Sequence, residues 1–158
     1  MSCLAALLLG ILLPTVNLTV VTEDAAPEEG VVTLQAEIRN TSDKKTVKLP
    51  EPHTSHGRLT VQPWAIVLTK DGETVSEPGI HVKRIMKDIK LRPGETYTFT
   101  FKIVLTELIH DNWQPLDDPH GDYTVRFVCR KSRKEYLSSN TVTFHYQDGT
   151  LQNEEKQP

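Results

Sequence analysis

The chain has 158 residues, 37% of them hydrophobic and 25% charged. That length suits one domain, able to bury about two-thirds of its unfolded surface without help from metals or disulfides. Its 18 Lys and Arg stand against 21 Asp and Glu, a net charge of -3, so there is no surplus of positive potential to hold a phosphate backbone and a nucleic-acid partner is not expected.

The first segment, "CLAALLLGILLP" from Cys3 to Pro14, carries no charged or strongly polar side chain. It falls short of the roughly 20 residues of a membrane span, so no stable span is expected, and it suits the hydrophobic region of a signal peptide. No Lys or Arg precedes it and no small-x-small cleavage site comes after it. Two readings therefore stand: export to the cell envelope, the periplasm or the outside, or a buried strand or helix of a cytoplasmic protein. Residues 1–15 are read as this signal-like segment, 16–147 as one domain and 148–158 as a polar tail. Without Cys3, Cys129 stands alone, and its alternating place in an apolar strand marks a small buried hydrophobe.

Strand periodicity dominates the remainder of the chain. "TVNLTVV" puts Val16, Leu18 and Val20 on one face, and "GVVTLQAEIRN" alternates Val32, Leu34, Ala36 and Ile38 with polar residues, the period of a strand with one buried side. "NTSD", Asn40 to Asp43, offers side chains that bond their own backbone in a turn. "KTVKLP" is a short strand stopped by Pro50, and "EPHTSHG" reads as loop. In "RLTVQPWAIVLTKDGETV", Pro63 marks an edge or break, Trp64, Ile66 and Leu68 point one way, and "KDGE" closes a hairpin toward Val75. Ile80 to Leu91 is less periodic, an irregular strand or loop with Ile85, Ile89 and Leu91 inward, with a helix as the alternative that its shortness and the Pro-Gly turns at both ends disfavour. "ETYTFTFKIVL" aligns Tyr97, Phe99, Phe101, Ile103 and Leu105; "DYTVRFVCR" aligns Tyr123, Val125, Phe127 and Cys129; "NTVTFHYQ" adds Val142, Phe144 and Tyr146. "DGTLQNEEKQP" is polar enough to fray. About seven to nine strands without an amphipathic helix predict an all-β fold, an immunoglobulin-like Greek-key β-sandwich.

"PHGDYTVRF", with Gly121 and Tyr123 opening a long strand, has the form of a tyrosine corner, in which the hydroxyl returns to nearby backbone. Val125 stands where antibody-type domains place their second core cysteine. The series "VVTLQAEIRNTSDKKTVKL", "WAIVLTKDGETV", "LRPGETYTFTFKI", "GDYTVRF" and "SNTVTF" resembles the bacterial intracellular proteinase inhibitor domain family and, more loosely, immunoglobulin-like domains of bacterial surface and export proteins. The resemblance spans Val16 to Tyr146 and implies a domain that binds a protein partner rather than one that performs chemistry.

One stretch concentrates chemistry-bearing residues. "LIHDNWQPLDDPHGDYTVRF" contains His110, Asp111, Asp117, Asp118, His120 and Asp122, of which His110, His120 and Asp122 are weak candidates for a divalent ion. His110 and His120 are separated by nine residues with two prolines among them, and no HExxH or paired-cysteine pattern fixes them. In the competing reading Pro115, Pro119 and Gly121 set loop angles, Asp117 and Asp118 bond turn amides, and Trp113 either caps the core or meets a partner. "HTSH", His53 to His56, reads as a solvated loop. Ser42, Ser55, Ser76, Ser132, Ser138 and Ser139 lack a G-x-S-x-G setting, so no catalytic residue, enzyme activity or cofactor is expected. "RKSRK" places Arg130, Lys131, Arg133 and Lys134 at a strand turn, either a wet tip or a contact for an acidic partner. Two N-x-S/T sequences begin at Asn17 and Asn40, and the turn position of Asn40 makes it the expected accessible acceptor. The functional expectation is a non-enzymatic protein-binding domain, with a proteinase-inhibitor-like module as its more specific form; the alternatives are a structural accessory domain of an envelope or secreted assembly and a weak metal binder.

Overall fold

The computed structural model describes residues 14–21, 30–59, 63–77, 87–110, 112–131, 134–148 and 150–153. The apolar segment to residue 13, Ile85, Asp111, Ser132 and Arg133 lie outside them. In chain order the strands are β1 (Thr15–Val21), β2 (Val31–Arg39), β3 (Val47–Pro50), β4 (Thr54–Ser55), β5 (Arg58–Leu59), β6 (Trp64–Lys70), β7 (Glu73–Ser76) and β8 (Asp88–Leu91). Then come β9 (Thr96–Val104), a 3-10 turn at Leu105–Glu107, β10 (Ile109–His110), β11 (Gly121–Lys131), β12 (Lys134–Ser138), β13 (Val142–Gln147) and β14 (Thr150–Asn153). The fold is all-β.

Fourteen strands among the described residues exceed the seven to nine read from periodicity. The reason is physical: β4, β5 and β10 have two residues each, too few for any alternation to register. A further strand arises where the partner of β11 breaks near Ser139 into β12 and β13.

Two larger sheets and one strand pair result: β1-β2-β9-β5-β4, then β10-β7-β6-β11-β13-β14 with β12 also on β11, then β3-β8. One buried cluster serves both large sheets. Val32, Leu34, Ala36 and Ile38 of β2 are all fully buried, as are Val125 and Phe127 of β11. Phe101 of β9 lies 5.3 Å from Phe127, and Trp64 of β6 stacks on Phe127 at 4.7 Å, so aromatic rings join the two sheets. Each such side chain contributes about 1.5–3 kcal/mol by leaving water. Cys129 is buried in the same cluster.

The sheets are also laced together at one edge. Ser139 Oγ accepts from Phe127 N at 2.9 Å in place of a ladder carbonyl. Beside it the Asn140 side-chain amide imitates a peptide: Leu18 N donates to its Oδ1 at 2.7 Å and its Nδ2 donates to Leu18 O at 3.0 Å. At Leu18 the edge of β1 is thereby satisfied by a side chain from the break between β12 and β13.

Three local expectations are corrected. "EPHTSHG" is not plain loop: His56 and Gly57 adopt φ of 53° and 82°, the left-handed pair of a tight hairpin turn, and join β4 to β5. The region after residue 147 does not simply fray, because Asp148 turns the chain at φ 50° and β14 pairs with β13, placing Leu151 against the core. Asn40 is not an accessible acceptor. It is 0% exposed, its Nδ2 donates to Lys45 O at 2.8 Å and Leu91 O at 2.9 Å, and its Oδ1 accepts from Ser42 N. A turn that must bury its carbonyls uses the asparagine side chain to satisfy them.

Candidate functional site

The connection from β9 to β11 holds the residue cluster singled out in the sequence, and its first half is a compact hairpin. Leu105 and Leu108 are fully buried and anchor it. Above them Leu116 N donates to Leu108 O at 2.9 Å, His110 N to Gln114 O at 2.9 Å, and Trp113 N to His110 O at 2.9 Å. Asn112 Oδ1 accepts from Gln114 N, an Asx turn that tightens the tip. β10 pairs with β7 through Ile109↔Ser76 and His110↔Val75. This antiparallel register aims the hairpin toward the end of the sheet that carries the Asp71–Gly72 turn.

Trp113 sits at the tip with φ 66° and is 78% exposed. The reading of Trp113 as a cap over the core is therefore overturned: its left-handed backbone turns the indole outward, and Leu108 with partly buried Leu116 closes that part of the core. Trp64, by contrast, is 1% exposed.

The second half of the connection is a set of paired charges. Asp118 Oδ1 accepts from His120 N at 2.9 Å and lies 2.6 Å from His120 Nδ1, and these bonds from His120 hold its carboxyl below the usual range. The His120 ring stacks 5.6 Å from that of Tyr146. One residue pair further along the ladder, Asp122 faces His145, with Oδ1 2.6 Å from Nδ1. This contact raises the His145 pKa above its ordinary 6.5.

Asp71 stitches the end of the sheet together. Its N donates to Asp122 O at 2.8 Å, and its Oδ1 accepts from Asp122 N at 2.9 Å. Lys70 Nζ donates to its Oδ2 at 2.7 Å, which, with the Asp122 bond, keeps its pKa low. Gly121, at φ 144°, lies so close that a Cβ there would stand 2.6 Å from Asp71 Oδ2. Tyr123 is 1% exposed and its hydroxyl donates to Pro119 O, four residues back, at 2.6 Å. Burial chiefly raises its pKa. Burial alone pushes the Cys129 thiol up to about 11, the state of a packed side chain rather than a nucleophile.

The candidate metal set is thus divided rather than assembled. His120 goes to Asp118, Asp122 goes to His145, and His110 belongs to the Trp113 hairpin by its backbone. Among the described residues no three His, Cys, Asp or Glu are placed to hold a metal ion.

The basic candidates lie elsewhere. Arg130 and Lys134 are exposed, Lys131 pairs with Lys134 in the β11–β12 ladder, and all occupy the far end of β11 from Gly121. With 11 residues in β11 and about 3.3 Å per residue, these backbone positions are roughly 30 Å from the Asp122 end, so Trp113 does not share a surface with Arg130 and Lys134. Asp71, Asn140 and His145 were missed by sequence reading; the Asp-Gly pair at 71–72 signalled a turn but not its partner 51 residues away.

Among the described residues no helix is long and apolar enough to cross a membrane. No family model and no curated protein matches the sequence. Among solved structures the chain is similar to the selenomethionine-labelled β-glucosidase from Kluyveromyces marxianus, with 15% identity and a TM-score of 0.46 over 89% of this chain and 14% of that one. It is similar also to the same enzyme in complex with glucose, with 16% identity and a TM-score of 0.42 over 82% of this chain and 14% of that one. The chain spans only that 14% of the enzyme's length.

Proposed function

We propose that the chain is a non-enzymatic protein-binding domain, an immunoglobulin-like Greek-key sandwich that meets its partner through the Trp113 hairpin. The observation that carries this reading is an indole 78% exposed on a loop closed by its own backbone bonds. Exposed aromatics that are held in place are the usual anchors of interfaces, because they bury large area at small conformational cost. The Tyr123 hydroxyl bond to Pro119 O supports the Greek-key topology.

The resemblance to proteinase inhibitor domains makes a protease one candidate partner. A protease cleft reads extended backbone, and Trp113 at φ 66° is not extended. Inhibition would therefore proceed by docking of the hairpin beside the cleft. Export, through the apolar segment at residues 1–15, would put the domain in an envelope or secreted setting.

Two measurements test the proposal. Serine and metalloproteases are assayed for residual activity with the purified chain at micromolar concentration, and unchanged activity throughout removes the inhibitor version. Affinity capture with the parent and with Trp113→Ala then identifies a partner held by the first and lost by the second. Equal capture by both would remove the hairpin from the interface. A structural accessory role predicts a stoichiometric, long-lived complex in the same capture and no effect on free proteases.

A further inference from the structure

The two N-x-S/T sequences differ sharply in the folded chain. Asn17, in "NLT", lies on β1 between buried Val16 and buried Leu18 and is itself exposed, as are Thr15 and Thr19 on the same face. Its neighbours across the ladder are Glu37 of β2 and, beyond it, Thr98 of β9. This outer face of the five-stranded sheet is polar: Thr96, Thr98, Thr100 and Lys102 of β9 are all exposed there. Asn40, in "NTS", has both Nδ2 hydrogens engaged, by Lys45 O and Leu91 O, and no exposure at all.

We propose that Asn17 is the N-glycan acceptor of this chain and that Asn40 stays unmodified; this rests on the export reading and on passage through a eukaryotic secretory route. The reaction bonds Asn17 Nδ2 to C1 of the first sugar of a lipid-pyrophosphate-linked oligosaccharide. The bond from C1 to the pyrophosphate oxygen breaks, the lipid pyrophosphate leaves, and the amide loses one proton. The Thr19 hydroxyl supplies the third position of the acceptor sequence from the same exposed face of β1. A sugar on Asn40 would replace a hydrogen that a buried carbonyl requires, so a chain modified there could not close the turn to Lys45 or seat Leu91. A glycan on Asn17 covers the outer face of the five-stranded sheet. The Trp113 hairpin, on the edge of the other sheet, stays uncovered.

The test expresses the full chain in a eukaryotic secretory host and reads intact mass, endoglycosidase-sensitive mobility and protection of the lumenal chain from added protease. One glycan per chain is expected, lost in Asn17→Gln and in Thr19→Val, and kept in Ser42→Ala, which cancels the second acceptor sequence without touching Asn40. A protected chain of unmodified mass overturns the assignment while leaving export intact. A glycan kept in Asn17→Gln and lost in Ser42→Ala moves the site to Asn40 and overturns it also. A chain accessible to protease overturns the export reading and the modification with it.

Discussion

Replacing Asn40 by Ala removes one side chain and three hydrogen bonds. The bond to Leu91 O is buried, while those to Lys45 O and from Ser42 N are partly so. A stranded buried carbonyl costs about 1–3 kcal/mol, and each partly exposed bond about 0.5–1 kcal/mol because water replaces it. The sum is about 3 kcal/mol, a large share of a typical domain's stability. With a urea slope of about 2 kcal/mol per molar, the midpoint falls by about 1.5 M. Asn17→Ala is the matched control: the residue type is the same, but the side chain is exposed, so its shift should stay within about 0.5 kcal/mol. Parallel urea melts of the two variants and the parent make the comparison. Equal shifts would refute the assignment of Asn40 as the buried organiser of its turn.

The Asp71 end of the other large sheet supplies three more expected outcomes. Tyr123→Phe should cost about 1–3 kcal/mol, because it deletes only the hydroxyl that satisfies Pro119 O; a urea midpoint equal to the parent's would deny that bond any part in stability. Gly121→Ala should destabilise the chain, since its Cβ would stand 2.6 Å from Asp71 Oδ2. In a double-mutant cycle the penalty should shrink by at least about 0.5 kcal/mol in an Asp71→Ala background, and strict additivity would show that the two sites do not meet. By NMR titration His145 should show a midpoint above 6.5 that drops in Asp122→Asn. Its raised pKa means that the His145–Asp122 contact contributes fully below the ordinary histidine value and is lost as pH rises through the folded value; an unmoved midpoint in Asp122→Asn would break the pairing.

The long strands were legible because their period was. Val32 to Ile38 and Tyr123 to Phe127 alternate cleanly, and there the alternation alone names the buried face, whereas Val128, buried between Phe127 and Cys129, breaks it. The two-residue strands β4, β5 and β10 were not legible, since their pairing is fixed by turn angles at His56 and by tertiary contact. Trp113 shows the limit of hydrophobicity as a guide: burial depends on the direction in which the backbone sends the side chain, and φ 66° sends this one outward. Asn40 shows the converse, a polar turn residue buried because backbone carbonyls needed its amide. The charged pairs were half legible, as His120 and Asp118 are sequence neighbours whereas Asp71 and His145 reach Asp122 only through strand register.

On the proposed function, the exposed Trp113 serves binding and not folding. The measurement that tests it most directly is the dissociation constant of the captured partner for the parent and for Trp113→Ala, taken with the urea midpoints of both proteins. An interface anchor predicts a loss of about 2 kcal/mol or more in binding, roughly 30-fold. The 78% exposed side chain predicts a change in stability within about 0.5 kcal/mol. An unchanged dissociation constant, or a stability loss as large as the binding loss, would contradict that role for Trp113.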